Sequence, residues 1–202
     1  MRKITCHCEQ EFSVDIPETV DLDKSPSVLS DVATGSFLAC VCPRCDAELH
    51  LDLRTTFEWP SKGLTVTLIP ELERLSLLSG AVTPRAGESF VVGYAELADR
   101  LAVLSANLDP VAVETLKLRL LERARETNPE RSPTLIFERV NESGDLVFHA
   151  HGLREGEVAV TTVPRRIYDS ILDEYRNNPG NEDFAAVVNG PYVSVKNVLV
   201  ED

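Results

Sequence analysis

Cysteine is the residue type whose placement in this sequence most strongly suggests chemistry. All five cysteines lie between positions 6 and 45, as a Cys-x-Cys pair and, further along, a Cys-x-Cys-x-x-Cys group. Thiolates carried on two short turns are ligands that Zn²⁺ prefers in a tetrahedral site. The spacing therefore predicts one structural zinc ion held by Cys6, Cys8, Cys42 and Cys45.

The first half of this constellation leaves the ligand set open. Its two cysteines are separated by one residue instead of two, which tightens the chelate and can displace one sulfur from the ion. Cys40, His7 and His50 are the candidate replacements. Cys40 precedes the second turn, and we expect its side chain to pack beside Phe37 and Leu38 instead of reaching the metal.

Two catalytic uses of the same cysteines are alternatives to a structural metal. Cys6 and His7 resemble a nucleophile and its base, but neighbours on an extended strand point to opposite faces. The Cys42–Cys45 pair has the spacing of a thioredoxin-type redox motif, which needs a helix directly after it to lower the thiol pKa. Residues 47–53 predict a strand instead, because Leu49, Leu51 and Leu53 alternate with polar residues.

No other chemical constellation emerges from the chain. His149 and His151 share one strand face and could bind a metal together, but the alternating Phe148 and Ala150 are expected to form the core and to leave both histidines in solvent. Phosphate-binding glycine motifs are absent from the sequence. We therefore assign no catalytic and no organic cofactor-binding residues, and we expect a protein without catalytic activity. An enzyme working from the C-terminal half is an alternative for which no catalytic set can be named.

Composition limits the partners of the protein. The chain has 202 residues and a net charge of −13, which opposes non-specific binding to nucleic acid or to an anionic membrane. A nucleic-acid-binding zinc ribbon is the alternative, and it would use Arg2, Lys3, Arg44 and Arg54 against ten acidic residues in the first 54 positions. No apolar run approaches a membrane span, and no apolar segment follows Met1–Thr5 as a secretory signal would. We expect a cytoplasmic protein that acts through a protein partner, with the oligomeric state open.

The pattern of apolar residues predicts an α+β fold in two parts. Residues 1–58 form a small β-rich, zinc-ribbon-like module with a short helix over Ser27–Thr34 that ends at Gly35. Ser36–Ala39 is predicted to re-enter as a strand. Residues 59–202 form a second domain that combines an antiparallel sheet with several amphipathic helices.

Within the second domain, strands and helices follow from periodicity and from capping residues. Strands are predicted at Leu64–Ile69, in a hairpin around residues 134–150, at Val158–Val160 and at Tyr192–Val200, and helices at Pro70–Ser79, Tyr94–Leu108, Pro110–Ala124 and Pro164–Tyr175. Asp109 followed by Pro110 is a helix start in which the aspartate is the N-cap. Asn128 is predicted to end that helix.

These features together resemble the CpXC family of bacterial and archaeal proteins. The resemblance rests on Ile4-Thr5-Cys6, Phe12, Cys42-Pro43-Arg44-Cys45 and the stretch Tyr94–Leu121 with its Asn107-Leu108-Asp109, and it covers about residues 1–125. The family pattern is a pair of Cys-Pro-x-Cys motifs in one domain of unknown function. The second motif matches this pattern fully, whereas the first is one residue shorter and has His7 where the proline would stand. The resemblance supplies no enzymatic activity for the chain.

Overall fold

A computed structural model of the protein describes residues 1–127, 129–154 and 156–199. It combines helices with several sheets, which confirms the predicted α+β class. The chain divides into two compact units, residues 1–98 and residues 99–202. The predicted boundary after residue 58 stays a prediction. In the part of the chain that is described, no helix is both long and apolar enough to cross a bilayer.

The first unit consists of short strands with three α-helical segments and two 3₁₀ turns, Pro60–Lys62 and Glu71–Glu73, among them. Its elements are β1 (Arg2–Thr5), β2 (Glu11–Val14), β3 (Thr19–Asp21), α1 (Ser27–Thr34), β4 (Ala39–Val41), β5 (Glu48–His50), β6 (Thr55–Trp59), β7 (Leu64–Ile69), α2 (Arg74–Leu78), β8 (Glu88–Val92) and the start of α3 (Gly93–Ser105).

Two antiparallel hairpins and one mixed sheet organise these strands. The pair β1–β2 and the pair β4–β5 are separate two-stranded hairpins. In the mixed sheet, β6 pairs antiparallel with β7, while β3 joins β6 and β8 joins β7 as parallel neighbours. The core of this unit contains Phe57, Leu68 and Phe90, each no more than 1% exposed.

Some boundaries in the first unit differ from the sequence prediction. Helix α1 has the predicted bounds and ends at Gly35, whose φ of 83° is open to glycine at no steric cost. The strand predicted at Ser36–Ala39 begins at Ala39, because the N–H groups of Ser36 and Phe37 bond to the Asp31 carbonyl and extend the helix end into a turn. The helix predicted from Pro70 is reduced to the 3₁₀ turn Glu71–Glu73 and α2.

The second unit places helices against a three-stranded antiparallel sheet. Its elements are α4 (Pro110–Thr127), β9 (Thr134–Val140), β10 (Leu146–Arg154), β11 (Glu157–Val163), α5 (Arg165–Asn177), α6 (Glu182–Val187), β12 (Val188–Asn189), β13 (Tyr192–Val193) and α7 (Lys196–Leu199). The sheet has the order β11–β10–β9. The core cluster includes Leu116 of α4, Phe148 of β10 and Tyr168 of α5.

Capping and turn residues account for the elements of the second unit that were predicted correctly. The Asp109 carboxylate accepts bonds from the N–H groups of Val111 and Ala112, at 2.8 and 3.1 Å, so α4 starts as predicted. The prediction of one strand over Tyr192–Val200 was wrong: strand β13 ends at Val193, and helix α7 follows it. The predicted helix end at Asn128 and position Val200 lie outside the described residues.

A buried ion cluster links the helices of this unit. The Lys117 ammonium lies 2.5 Å from an Asp99 carboxylate oxygen and 2.8 Å from a Glu114 carboxylate oxygen, and all three side chains are less than 10% exposed. The remaining carboxylate oxygens accept the backbone N–H groups of Phe137 and Val195. Each charge is therefore paired and hydrogen-bonded, which burial of a charge requires.

Candidate metal centre

The four cysteines predicted to bind metal lie in the turns of two hairpins. Cys6 and Cys8 lie between β1 and β2, and Cys42 and Cys45 lie between β4 and β5. Both strand pairs are antiparallel, so each turn is held at its base by a ladder of backbone hydrogen bonds. The hairpins therefore present their cysteines from the tips of ordered elements.

The first turn is closed by two hydrogen bonds around Cys6. The Cys6 N–H donates to the Gln10 carbonyl at 3.0 Å, and the Glu9 N–H donates to the Cys6 carbonyl at 2.8 Å. Glu9 adopts a positive φ of 65°, an uncommon conformation for a residue with a side chain. This tight reversal brings the Cys6 and Cys8 side chains to the same side of the turn.

The second turn repeats this arrangement with one more residue. The Cys42 N–H donates to the Ala47 carbonyl at 2.9 Å, and the Asp46 N–H donates to the Cys42 carbonyl at 3.0 Å. Asp46 follows the second cysteine of its turn, as Glu9 does, and has a φ of 55°. The two turns thus have equivalent closing hydrogen bonds. Cys6-His7-Cys8 is one residue shorter than Cys42–Cys45, but its turn keeps the same closing bonds and the same positive φ after the second cysteine.

The sulfur atoms of the four cysteines form one compact group. All four lie within 4.8 Å of one another. The Sγ atoms of Cys6 and Cys45 are 3.7 Å apart, as are those of Cys8 and Cys42. A tetrahedral ion with metal–sulfur bonds of about 2.3 Å requires sulfur separations of about 3.8 Å. Since all four cysteines are free thiols, the group fits a metal ion and not a pair of disulfides.

The electrostatics of the group explain why a cation would stabilise it. Burial opposes ionisation of Cys42, but the N–H groups of Arg44 and Cys45 point to its sulfur and lower its pKa to about 7. The Ala47 N–H favours the Cys45 thiolate, yet burial and the neighbouring sulfurs, that of Cys8 first, raise the pKa of Cys45 to about 12. The thiols therefore hold one negative charge readily, and further ionisation needs a positive charge among them.

Comparison with known proteins places this arrangement in a family. A profile described as CpXC protein matches residues 4–117, more than half of the chain, and includes both cysteine turns. This chain belongs to the CpXC family. An uncharacterized protein of Treponema pallidum (strain Nichols) is 32% identical to it over 220 aligned positions, which cover all of both chains. No solved structure matches it.

The remaining ligand candidates of this CpXC chain occupy different positions. Within the described residues, the compact group of possible metal ligands contains neither Cys40 nor a histidine. Cys40 lies on β4 opposite Leu49, and burial raises its pKa. His50 is exposed and its ring lies 3.8 Å from a Glu48 carboxylate oxygen.

The structure corrects the predicted orientation of Cys6 and His7. Cys6 and His7 were expected to point apart as neighbours on a strand, but β1 ends at Thr5 and both residues belong to the turn. The Nδ1 atom of His7 therefore lies 3.6 Å from the Cys6 sulfur, within reach of a weak hydrogen bond. Cys6 itself is only 3% exposed.

The other predicted features of the CpXC chain also have definite places. The strand predicted after Cys45 is β5, so a strand and not a helix directly follows the Cys42–Cys45 turn. His149 and His151 share the outer face of β10, as expected, while Phe148 and Ala150 are buried.

The sequence analysis missed three residues that shape the candidate metal centre. Glu9 and Asp46 close the turns in the left-handed conformation, and an acidic residue directly after the second cysteine of each turn was the available signal. The guanidinium of Arg44 donates to the Cys8 carbonyl at 3.2 Å and joins the second turn to the first. Pairwise contacts of this kind leave no mark in residue spacing.

Proposed function

We propose that this CpXC chain is a non-catalytic zinc-binding protein, in which Cys6, Cys8, Cys42 and Cys45 hold one structural Zn²⁺. The observation that carries this proposal is the set of four cysteine sulfurs within 4.8 Å of one another, with two separations of 3.7 Å. Four soft sulfur ligands in a tetrahedral arrangement favour zinc over Mg²⁺ or Ca²⁺, which prefer oxygen.

A structural role for the metal is supported by closure and by size. Four thiolates fill the tetrahedron and leave no position for a substrate or a reactive water, unlike a catalytic zinc site. The two hairpins pair only four and three residues per strand, respectively. Isolated hairpins are marginal in water, so a shared ion supplies the free energy that joins them.

The alternative uses of the cysteines receive less support from the geometry. A redox role for Cys42 and Cys45 lacks the following helix, and Cys42 is fully buried. In a nucleic-acid-binding ribbon the basic side chains would be free to reach phosphates. Instead, Arg2 donates to the Pro17 carbonyl, and Arg54 pairs with Glu73 at 2.5 Å.

The biological role that follows is that of a cytoplasmic protein acting through a protein partner. Its net charge of −13 disfavours polyanionic partners, and the metal fixes a module without performing chemistry. Random DNA or RNA should give no gel shift with micromolar protein at about 0.15 M salt, because each phosphate contact requires a cation. A clear shift at that salt concentration would favour the nucleic-acid ribbon.

Elemental analysis of the purified full-length chain tests the zinc proposal. Protein prepared without chelator or added metal should contain about one zinc per chain. With the metal bound, a thiol reagent should find Cys40 reactive and the other four cysteines protected, and all five should react after chelation. Protein without transition metal and with five freely reactive thiols would refute the proposal.

A further inference from the structure

Strand β11 is an unprotected edge of the three-stranded sheet. It pairs with β10 on one side only, and no strand among the described residues pairs with its other side. Val158 is 51% exposed and Val160 is 63% exposed. The strand contains neither proline nor lysine, the residues that commonly block edge-to-edge pairing. The backbone groups of β11 that do not bond to β10 thus face solvent, along a strand in which six of the seven residues are β-branched or small.

We propose that this edge pairs with β11 of a second copy of the chain, which makes one continuous six-stranded sheet across a two-fold axis. The strand sequence is self-complementary when it runs antiparallel to itself around Val160. In that register Val160 faces Val160, Ala159 faces Thr161, and Val158 faces Thr162. Each of these central pairs joins β-branched or small residues, a favourable combination across strands, and Glu157 faces Val163 at both ends. An isologous contact of this kind closes as a dimer and does not propagate.

The position of the one charged residue in β11 favours an antiparallel orientation of the two strands. Glu157 is the only charged residue of β11 and stands at its first position. Antiparallel pairing places the two Glu157 carboxylates at opposite ends of the contact, whereas parallel pairing would set them side by side. Like charges directly opposite one another destabilise a strand pair. The antiparallel dimer is therefore favoured.

The surroundings of β11 allow two acidic chains to approach one another. The protein carries a net charge of −13, but residues 154–166 contain three arginines and two glutamates. Arg154 pairs with Glu157 at 3.5 Å at one end of the strand, and Arg165 pairs with Asp169 at 2.9 Å beyond the other end. The edge is thus free of the negative excess that repels two copies elsewhere.

The contact is small, and its size sets the strength of the dimer. Pairing of seven residues with two exposed valines on each side buries less than a standard interface of about 1,600 Å². We therefore expect a reversible dimer with a dissociation constant of about 1–100 µM. The dimer contact contains no cysteine, so it does not depend on the zinc proposal.

Sedimentation equilibrium of the full chain tests this inference. The mass should rise from 22.3 kDa towards twice that value as the concentration increases from about 1 to about 200 µM. Val160→Lys places two ammonium groups opposite each other on the axis and should weaken dimerisation at least about tenfold. Leu72→Lys, at a residue that is 97% exposed, is the matched control and should leave the dissociation constant unchanged.

A measurement on the unaltered protein avoids any dependence on how the variant folds. Amide hydrogens of Glu157–Val163 should exchange more slowly at about 200 µM than at about 1 µM, because pairing protects them. A monomer at every concentration, a dimer unaffected by Val160→Lys, or exchange in β11 that is independent of concentration would each overturn the proposal. Chelation that empties the cysteine site should leave the dimer intact, so failure of one proposal is distinguishable from failure of the other.

Discussion

Replacement of Cys42 by serine, with Cys40→Ser as the matched control, tests the assignment of the metal centre. The two cysteines are two residues apart, yet only Cys42 belongs to the compact sulfur group. Its side chain is fully buried, its sulfur lies 3.7 Å from that of Cys8, and backbone N–H groups point to it. Cys40 is half-buried on β4, outside the group.

The expected magnitude follows from dividing the binding free energy among the ligands. A structural zinc site contributes about 10–16 kcal/mol, or about 2.5–4 kcal/mol for each of four sulfurs. Loss of the Cys42 sulfur should therefore raise the zinc dissociation constant by about 100- to 1000-fold. The buried serine hydroxyl costs a further 1–3 kcal/mol or so if it lacks a partner. Cys40→Ser should change zinc affinity by less than about threefold.

Competition with a colorimetric zinc chelator ranks the variants, and far-UV circular dichroism during heating reports their stability. Cys8→Ser should lose zinc as readily as Cys42→Ser, because Cys8 completes the sulfur group and Cys40 does not lie within it. If Cys40→Ser releases zinc as readily as Cys42→Ser, the ligand assignment is wrong. If Cys8→Ser binds normally and only the double variant with Cys40→Ser fails, the two cysteines exchange as ligands.

Three further predictions concern stability. Lys117→Met leaves two buried carboxylates without the ammonium that bonds to them and should lower the free energy of unfolding by about 3–5 kcal/mol in urea titrations. Arg176→Met, at an exposed ion pair, should change the free energy of unfolding by less than about 0.5 kcal/mol, and equal effects of the two substitutions would contradict the burial argument. Asp109→Ala should lower the free energy of unfolding by about 0.5–2 kcal/mol, as measured by thermal unfolding, whereas Asp109→Asn should retain the helix cap. An asparagine variant as unstable as the alanine variant would contradict the N-cap role of Asp109. Asp46→Val should destabilise the second cysteine turn by about 1–2 kcal/mol and weaken zinc binding, whereas Asp46→Gly should do neither, because glycine adopts the φ of 55° without strain. If chelator competition gives the two variants the same zinc affinity, backbone strain at position 46 does not control the turn.

Elements with a strong local signal could be predicted from the sequence. Helix α1 ends at Gly35, and α4 starts at Asp109-Pro110, because both signals act within a few residues of the chain. The β9–β10 hairpin follows from two-residue alternation around the Asn141–Gly144 turn, which Gly144 closes with an N–H bond to Asn141. Local chain geometry alone is sufficient for elements of this kind.

Elements that depend on distant partners escaped prediction. Strands β6 and β8 were not assigned. β8 joins the sheet as a parallel neighbour of β7, and its two polar residues followed by three apolar ones show no alternation. Helix α6 was missed as well: its six residues are too few to show a helical period. For β6 and β8 the neighbouring strands, and not the segments themselves, decide the structure.

The metal centre shows the same division between local and tertiary information. Residue types and spacing alone predicted a group of cysteines able to hold a metal ion, placed Cys42 and Cys45 in one turn, and indicated the resemblance to the CpXC family. Only the tertiary structure decided which of the first cysteines join them, because that depends on how two hairpins meet. Left-handed Glu9 and Asp46 close both turns alike, so the short Cys6–Cys8 turn presents both sulfurs while Cys40 stays on its strand. Residue spacing determines which cysteines share one turn. Packing of the two hairpins sets the 3.7 Å distances between the sulfur atoms of cysteines that are 34 and 39 positions apart in the chain.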